Sequence, residues 1–93
     1  MLEITDATFD GTTENIDGKK YMRCTFTNCV LVFSGTAPVA LVDCVFKASR
    51  WEFAGAAATT LSFLRALYHG VGEGGQKLVE GTFESIRRPP SAE

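Results

Sequence analysis

The chain contains the sequence Cys24-Thr25-Phe26-Thr27-Asn28-Cys29-Val30-Leu31, and a similar sequence follows as Cys44-Val45-Phe46-Lys47-Ala48-Ser49-Arg50-Trp51. Outward from it, large apolar side chains recur at every fifth residue, at Ile16, Tyr21, Phe26, Leu31, Leu41, Phe46 and Trp51, and only Thr36 interrupts the series. Neither the helical period of about 3.6 residues nor the strand period of about 2 residues produces this spacing. A chain that turns a corner at every fifth residue does, and four such corners complete one coil, which is the interval between Phe26 and Phe46.

These residues resemble the pentapeptide-repeat proteins, in which a small residue, a polar residue, a central Leu or Phe and two variable residues repeat. Residues 24–28 and 44–48 fit best, 29–31 fit next and 49–51 fit more loosely. The resemblance covers residues 14–53 and departs at 34–36, where Gly35 and the following Pro38 indicate a looser corner. It implies a short right-handed quadrilateral parallel β-helix of two to three coils, whose central side chains stack inward in ladders. Each coil of such a solenoid buries its apolar face only against a neighbour.

The residues before the five-residue series indicate an irregular first coil. Ile4 and Phe9 precede Cys24 and Cys29 by the same four-corner interval, and the composition of residues 11–14 and 17–18 favours turns there. The register of this first coil stays open at the level of sequence. Because the β-helix is short, its open strand edges and apolar ends need a cover.

The pattern changes to helical spacing after Gly55. Leu61, Leu64, Leu67 and Tyr68 predict a helix that ends at Gly70. A second periodic segment carries Val79, Phe83 and Ile86 and precedes Pro89, and Gly81 within residues 76–88 leaves it open between helix and strand.

We therefore predict one domain over residues 1–93, mainly β with C-terminal α. Residues 1–54 form the β-helix coils, residues 55–88 form a cap of one or two helices, and residues 89–93 form a disordered tail.

Composition excludes several classes of protein. Hydrophobic residues make up 45% and charged residues 22%, as in ordinary globular chains rather than disordered ones. A formal charge of −2 argues against a nucleic-acid partner. No apolar run is long enough for a membrane span, and the acidic N-terminus is unlike a signal peptide. Three cysteines, an odd count, favour a reducing, cytoplasmic location.

The titratable residues do not form a recognisable catalytic or metal-binding motif. Cys24, Cys29 and Cys44 are interpreted as small buried hydrophobes, because their spacing and one distant histidine do not complete four zinc ligands. His69 has no nucleophile or carboxylate at a triad-like spacing, and Glu73 and Glu80 are expected on solvated faces. We expect no enzyme activity, no catalytic residue, no metal and no cofactor.

Residues 70–77 contain a Gly-x-Gly-x-x-Gly pattern followed by a lysine. A dinucleotide fold is rejected, because the pattern follows a helix and no βαβ unit surrounds it. Two interpretations stay open: a flexible connection between two helices, which we favour, and an anion site at a helix N-terminus. The candidate ligand-binding residues are Gly72, Gly74, Gly75 and Lys77, completed by Arg65 and His69.

The expected function is that of a non-enzymatic, oligomeric interaction protein, a homodimer or higher oligomer that could also bind another protein. The alternative is a small-ligand sponge that sequesters a phosphate-bearing or cyclic nucleotide, as small phage anti-defence proteins do. A DNA mimic that binds topoisomerase, known among pentapeptide-repeat proteins, ranks last, because two to three coils at −2 are too short and too neutral.

Overall fold

The chain contains short strands followed by two helices. The computed structural model describes residues 1–89, and the chain divides into two compact units, Met1–Thr59 and Thr60–Glu93. The strands are β1 Leu2–Thr5, β2 Thr8–Asp10, β3 Thr13–Asn15, β4 Lys19–Met22, β5 Thr25–Thr27, β6 Val30–Phe33, β7 Ala40–Val42, β8 Val45–Lys47 and β9 Arg50–Phe53. The helices are α1 Gly55–Gly70 and α2 Glu73–Arg87. A mainly β chain with C-terminal α is confirmed; residues 90–93 of the predicted tail lie outside the described residues.

The strands form a short parallel β-helix. Every third strand pairs in parallel, which gives three sheets with the orders β1-β4-β7, β2-β5-β8 and β3-β6-β9. Each coil therefore contributes one strand to each sheet. The resemblance implies a quadrilateral coil; three of its sides are strands, and within residues 1–89 the fourth side has no strand. The right-handed sense of the coil stays a prediction.

The register of the last two coils matches the repeat seen in the sequence. Tyr21 pairs with Leu41, Phe26 with Phe46, and Leu31 with Trp51. The inward ladders that the five-residue spacing predicts are thus confirmed for the second and third coils.

The first coil is shorter than the repeat predicts. Ile4 pairs with Tyr21 and Phe9 with Phe26, an offset of 17 residues instead of 20. The reason lies on the fourth side, where the first coil closes with a turn at Asp17-Gly18 while the second uses residues 34–39. The predicted turn over residues 11–14 is also corrected, because β3 begins at Thr13.

Asp17 fixes the longer fourth side of the second coil. Its carboxylate accepts hydrogen bonds from the N–H groups of Ser34 (2.8 Å) and Thr36 (2.7 Å) and from the Thr36 hydroxyl (2.8 Å). These bonds, led by the Ser34 N–H, lower the pKa of Asp17 to about 2. The looser corner predicted at residues 34–36 is confirmed, and Asp17 holds it in place.

The second coil forms the core because it has a coil on each side. Tyr21, Phe26 and Leu31 are fully buried, together with Cys24 and Cys29. The ring of Phe26 stacks between those of Phe9 (4.9 Å) and Phe46 (5.2 Å) with nearly parallel planes.

The helical segments pack closely at one point. The segment over residues 76–88, which the sequence left open between helix and strand, belongs to helix α2. This helix begins before residue 76, at Glu73. A turn of Val71 and Gly72 joins α1 to α2, with Gly72 in the left-handed region at a φ of 76°. A Cβ added at Gly75 would overlap the carbonyl oxygen of Leu67, so only glycine permits this approach of the two helices.

Candidate functional site

The last coil of the β-helix ends in exposed apolar side chains. Leu41 and Trp51 occupy the same inward ladders as the buried Tyr21 and Leu31, yet Trp51 is 47% exposed. Phe53, which pairs with Phe33, is 51% exposed. We call Leu41, Trp51 and Phe53 the end-coil face. Exposed aromatic side chains of this kind are typical of surfaces that bind protein.

The first coil places a carboxylate in an otherwise apolar ladder. Glu14 pairs with Leu31, and in the next coil the hydroxyl of Tyr21 is buried with no hydrogen-bond partner among the described residues. Burial, followed by the charge of Glu14, raises the pKa of Tyr21 to about 12. The phenol is therefore neutral at physiological pH and is poorly suited to act as a base.

The cysteine side chains link successive coils. The thiol of Cys24 donates to the carbonyl oxygen of Ile4 (3.5 Å), and that of Cys44 donates to the carbonyl oxygen of Tyr21 (3.4 Å). Cys29 makes the same contact with Phe9 (3.5 Å). All three thiols are free, and Cys44 is only partly buried. In residues 1–89, no group of three or more His, Cys, Asp or Glu side chains could hold a metal ion.

The second unit contains an open groove between α1 and α2, with a volume of about 850 Å³. Its apolar lining comes from both helices. Among its lining residues, Val79 is buried, and Leu61 and Phe83 are each 45% exposed. A groove of this size and composition can take a small molecule or an apolar helix face.

Charged side chains of both signs border this groove. Arg65 and His69 come from α1, while Glu80, Glu84 and Arg87 come from α2. Glu84 contacts Arg87 at 3.6 Å along the same helix. Arg65 and Glu80 have no ion-pair partner within the described part of the chain, so both charges are available to a partner.

The predicted anion site is only partly assembled. Arg65 and His69 lie together in the groove, where the ring of His69 packs edge-on against that of Tyr68 (5.2 Å). Lys77 lines a separate depression beside Leu78 and pairs with Glu73 (3.4 Å) along α2.

The glycines of that predicted site have different surroundings. Gly72 precedes α2 as its N-cap residue, whereas Gly74 and Gly75 lie within the helix, and Gly75 is buried against Leu67. The geometry therefore gives Gly75 a packing role, and the binding of an anion at these residues stays a hypothesis.

Sequence reasoning missed the acidic side of the groove. Glu80 is exposed, as predicted, but it also borders the groove, and so does Phe83, which the sequence placed only in an apolar stripe. The spacing of these residues could have indicated an acidic face. Glu80 and Glu84 are four residues apart and share a helix face, as Arg65 and His69 do. What the sequence could not show is that these two faces border one groove.

Two further observations concern the class of protein. No helix within residues 1–89 has the length and apolar character needed to cross a membrane. Comparisons of the chain with protein-family models, with curated proteins and with solved structures found no significant match.

Proposed function

We propose that this chain is a non-enzymatic, self-associating interaction protein built on a β-helix of the pentapeptide-repeat type. The observation that carries the proposal is the exposure of large apolar side chains in both units. Trp51 and Phe53 mark the first unit, and Leu61 and Phe83 mark the second. Burying such surface on a partner is favourable by about 25 cal/mol per Å² of apolar area.

The pentapeptide-repeat assignment is supported by the ladders and the residues that precede them. A central Phe is preceded, two positions earlier, by a small residue in all three coils: Ala7, Cys24 and Cys44. The thiols of this small-residue ladder bind the carbonyl groups of the preceding coil, which explains why a small residue with a donor suits the position.

A second copy of the chain is the simplest partner for these surfaces. Closed symmetric homo-oligomers are the commonest assemblies, and a two-fold axis allows one apolar surface to cover itself. The test is light scattering of the wild type and of Leu61→Ser and Phe83→Ser, at two exposed apolar residues of the groove between α1 and α2, at several concentrations. We expect either substitution to weaken the assembly, while Val71→Ser, at an exposed apolar residue in the turn between the helices, leaves it unchanged. A monomeric wild type at micromolar concentration would overturn self-association.

A ligand-binding function is the second candidate, and one observation favours it. Arg65, His69 and Arg87 border the same groove as the aromatic rings of Tyr68 and Phe83, an arrangement that suits a phosphate attached to a planar base. Calorimetric titration with mono-, di- and cyclic nucleotides tests it. Heat that disappears in Arg65→Ala would support the sponge, and the absence of heat from every nucleotide would remove it.

A further inference from the structure

We infer that the helical hairpin, residues 60–87, pairs with the hairpin of a second copy, groove against groove, with Arg65 of each copy facing Glu80 of the other. The inference rests on the proposed self-association and names the surface and charges that direct it.

The apolar lining of the groove favours a helical occupant. Val79 in this lining is buried, while Leu61 on α1 and Phe83 on α2 remain 45% exposed. A helix can cover both residues, because it presents apolar side chains at helical spacing, and the same two helices of a second copy do so. Two hairpins packed in this way form a four-helix arrangement, a common way to bury such faces.

The charges around the groove select a second copy over other partners. Arg65 on α1 and Glu80 on α2 both border the groove, and neither has an ion-pair partner within the described residues. A purely anionic partner, such as an acidic peptide, would meet Glu80 and Glu84. A purely cationic partner would meet Arg65 and Arg87.

Two-fold symmetry satisfies both signs at once. In an isologous interface, if Arg65 of the first copy faces Glu80 of the second, then Glu80 of the first faces Arg65 of the second. One interface therefore forms two equivalent ion pairs from the two unpaired charges of each chain. Charge complementarity of this kind fixes the register of a pair and disfavours wrong partners.

The test is a charge swap carried out in separate chains. Arg65→Glu and Glu80→Arg are purified singly, and the mass of each is measured by sedimentation alone and after equimolar mixing. Each variant alone places two like-charged pairs across the interface, so we expect its dimer dissociation constant to rise by about tenfold or more. The mixture restores opposite charges at both contacts, so we expect a heterodimer with close to wild-type affinity.

The pattern of outcomes separates this inference from the proposed function. If each variant alone dimerises weakly and the mixture regains close to wild-type affinity, the reciprocal pairing is established, since a misfolded chain would not be rescued by another variant. A dimeric wild type whose two variants remain dimeric, or stay weak on mixing, overturns the pairing and leaves self-association standing. A wild type that is monomeric throughout overturns both. Glu73→Arg, at a residue outside the groove, serves as the matched control and should leave the dissociation constant unchanged.

Discussion

The rings of Phe26 and Phe46, which occupy equivalent positions in successive coils, lie 5.2 Å apart with an interplanar angle of 7°. Phe9 continues the same stack on the other side of Phe26 at 4.9 Å. Offset aromatic stacking of this kind adds to the gain from burial. The stack is the longest aromatic ladder in the described coils, and Phe26 is the ring within it that contacts both neighbouring coils.

Removal of the central ring should be more costly than removal of the terminal one. Phe26→Ala leaves a cavity with coils on both sides, and we expect it to lower the free energy of unfolding by about 3–5 kcal/mol. Phe46→Ala removes a ring that is only partly buried, and its cost should be clearly smaller. Urea unfolding of the two variants gives the comparison. Equal losses, or a Phe26→Ala variant close to wild type, would contradict the ladder.

Two adjacent glycines of α2 should respond in opposite directions to the same substitution. Gly75→Ala forces a Cβ onto the carbonyl oxygen of Leu67, and we expect a loss of about 1–3 kcal/mol from the helical unit. Gly74→Ala meets nothing within 4 Å and replaces glycine in a helix, so it should gain about 1 kcal/mol. Thermal melting of the helical circular-dichroism signal measures both. Similar shifts in the two variants would show that Gly75 is not a packing residue.

The carboxylate of Asp17 should make the free energy of unfolding depend on pH in the acidic range. Its pKa is about 2 in the folded chain, below the ordinary value of 3.8, because the carboxylate accepts hydrogen bonds from the N–H groups of Ser34 and Thr36. A lowered folded-state pKa gives stability that is present above about pH 4 and is lost as the pH falls toward 2. Asp17→Asn should melt at a lower temperature than wild type at pH 7, and the gap should narrow toward pH 2. The matched control is Asp10→Asn, at an exposed residue of the first coil. A gap of constant size at all pH values would contradict this role.

The buried hydroxyl of Tyr21 should cost stability rather than provide it. Tyr21→Phe keeps the ring and removes a polar group without a partner among the described residues, so we expect a gain of about 1 kcal/mol at pH 7. Because burial raises the pKa of Tyr21 to about 12, the folded chain disfavours the phenolate, so stability is unaffected by this ionisation below pH 10 and falls as the pH rises from 10 to 12. The Phe variant should lose this part of the alkaline dependence, whereas Tyr68→Phe should retain it. A destabilised Tyr21→Phe at pH 7 would show that the hydroxyl has a partner.

The register of the β-helix could be predicted where the side chains at inward positions are apolar, and it could not be predicted where one of them is charged. The five-residue spacing located Phe26 over Phe46 and Leu31 over Trp51 because each ladder position carries a large hydrophobe. In the first coil the same spacing continues through Ile4, Phe9 and Glu14, but a charged residue at the third position hid it. The shorter fourth side of that coil then shifted the register, and the turn at Asp17-Gly18 was its only local signal.

At the candidate sites, features set by local sequence pattern could be predicted, whereas features set by tertiary packing could not. The apolar periodicity predicted the first helix but left residues 76–88 open between helix and strand. Because glycine has a low helix propensity, the favoured interpretation of Gly74 and Gly75 was a connection. Close packing of Gly75 on Leu67 overrides that propensity, and such a contact between helices has no signature in a single sequence. Arg65 and His69 were identified as candidates, whereas the presence of Glu80 at the same groove depends on how α1 and α2 fold back on each other.

Native mass spectrometry of the freshly purified chain can decide whether the chain self-associates without a ligand, because it reports subunit number and any tightly held small molecule together. We predict an oligomer, a dimer in the simplest case, with a mass that is a whole multiple of the 10.1 kDa chain and no added ligand. An oligomer that carries one small molecule per subunit would contradict a purely protein-binding role and favour the ligand sponge. A species at 10.1 kDa under the same conditions, at micromolar concentration, would contradict self-association itself.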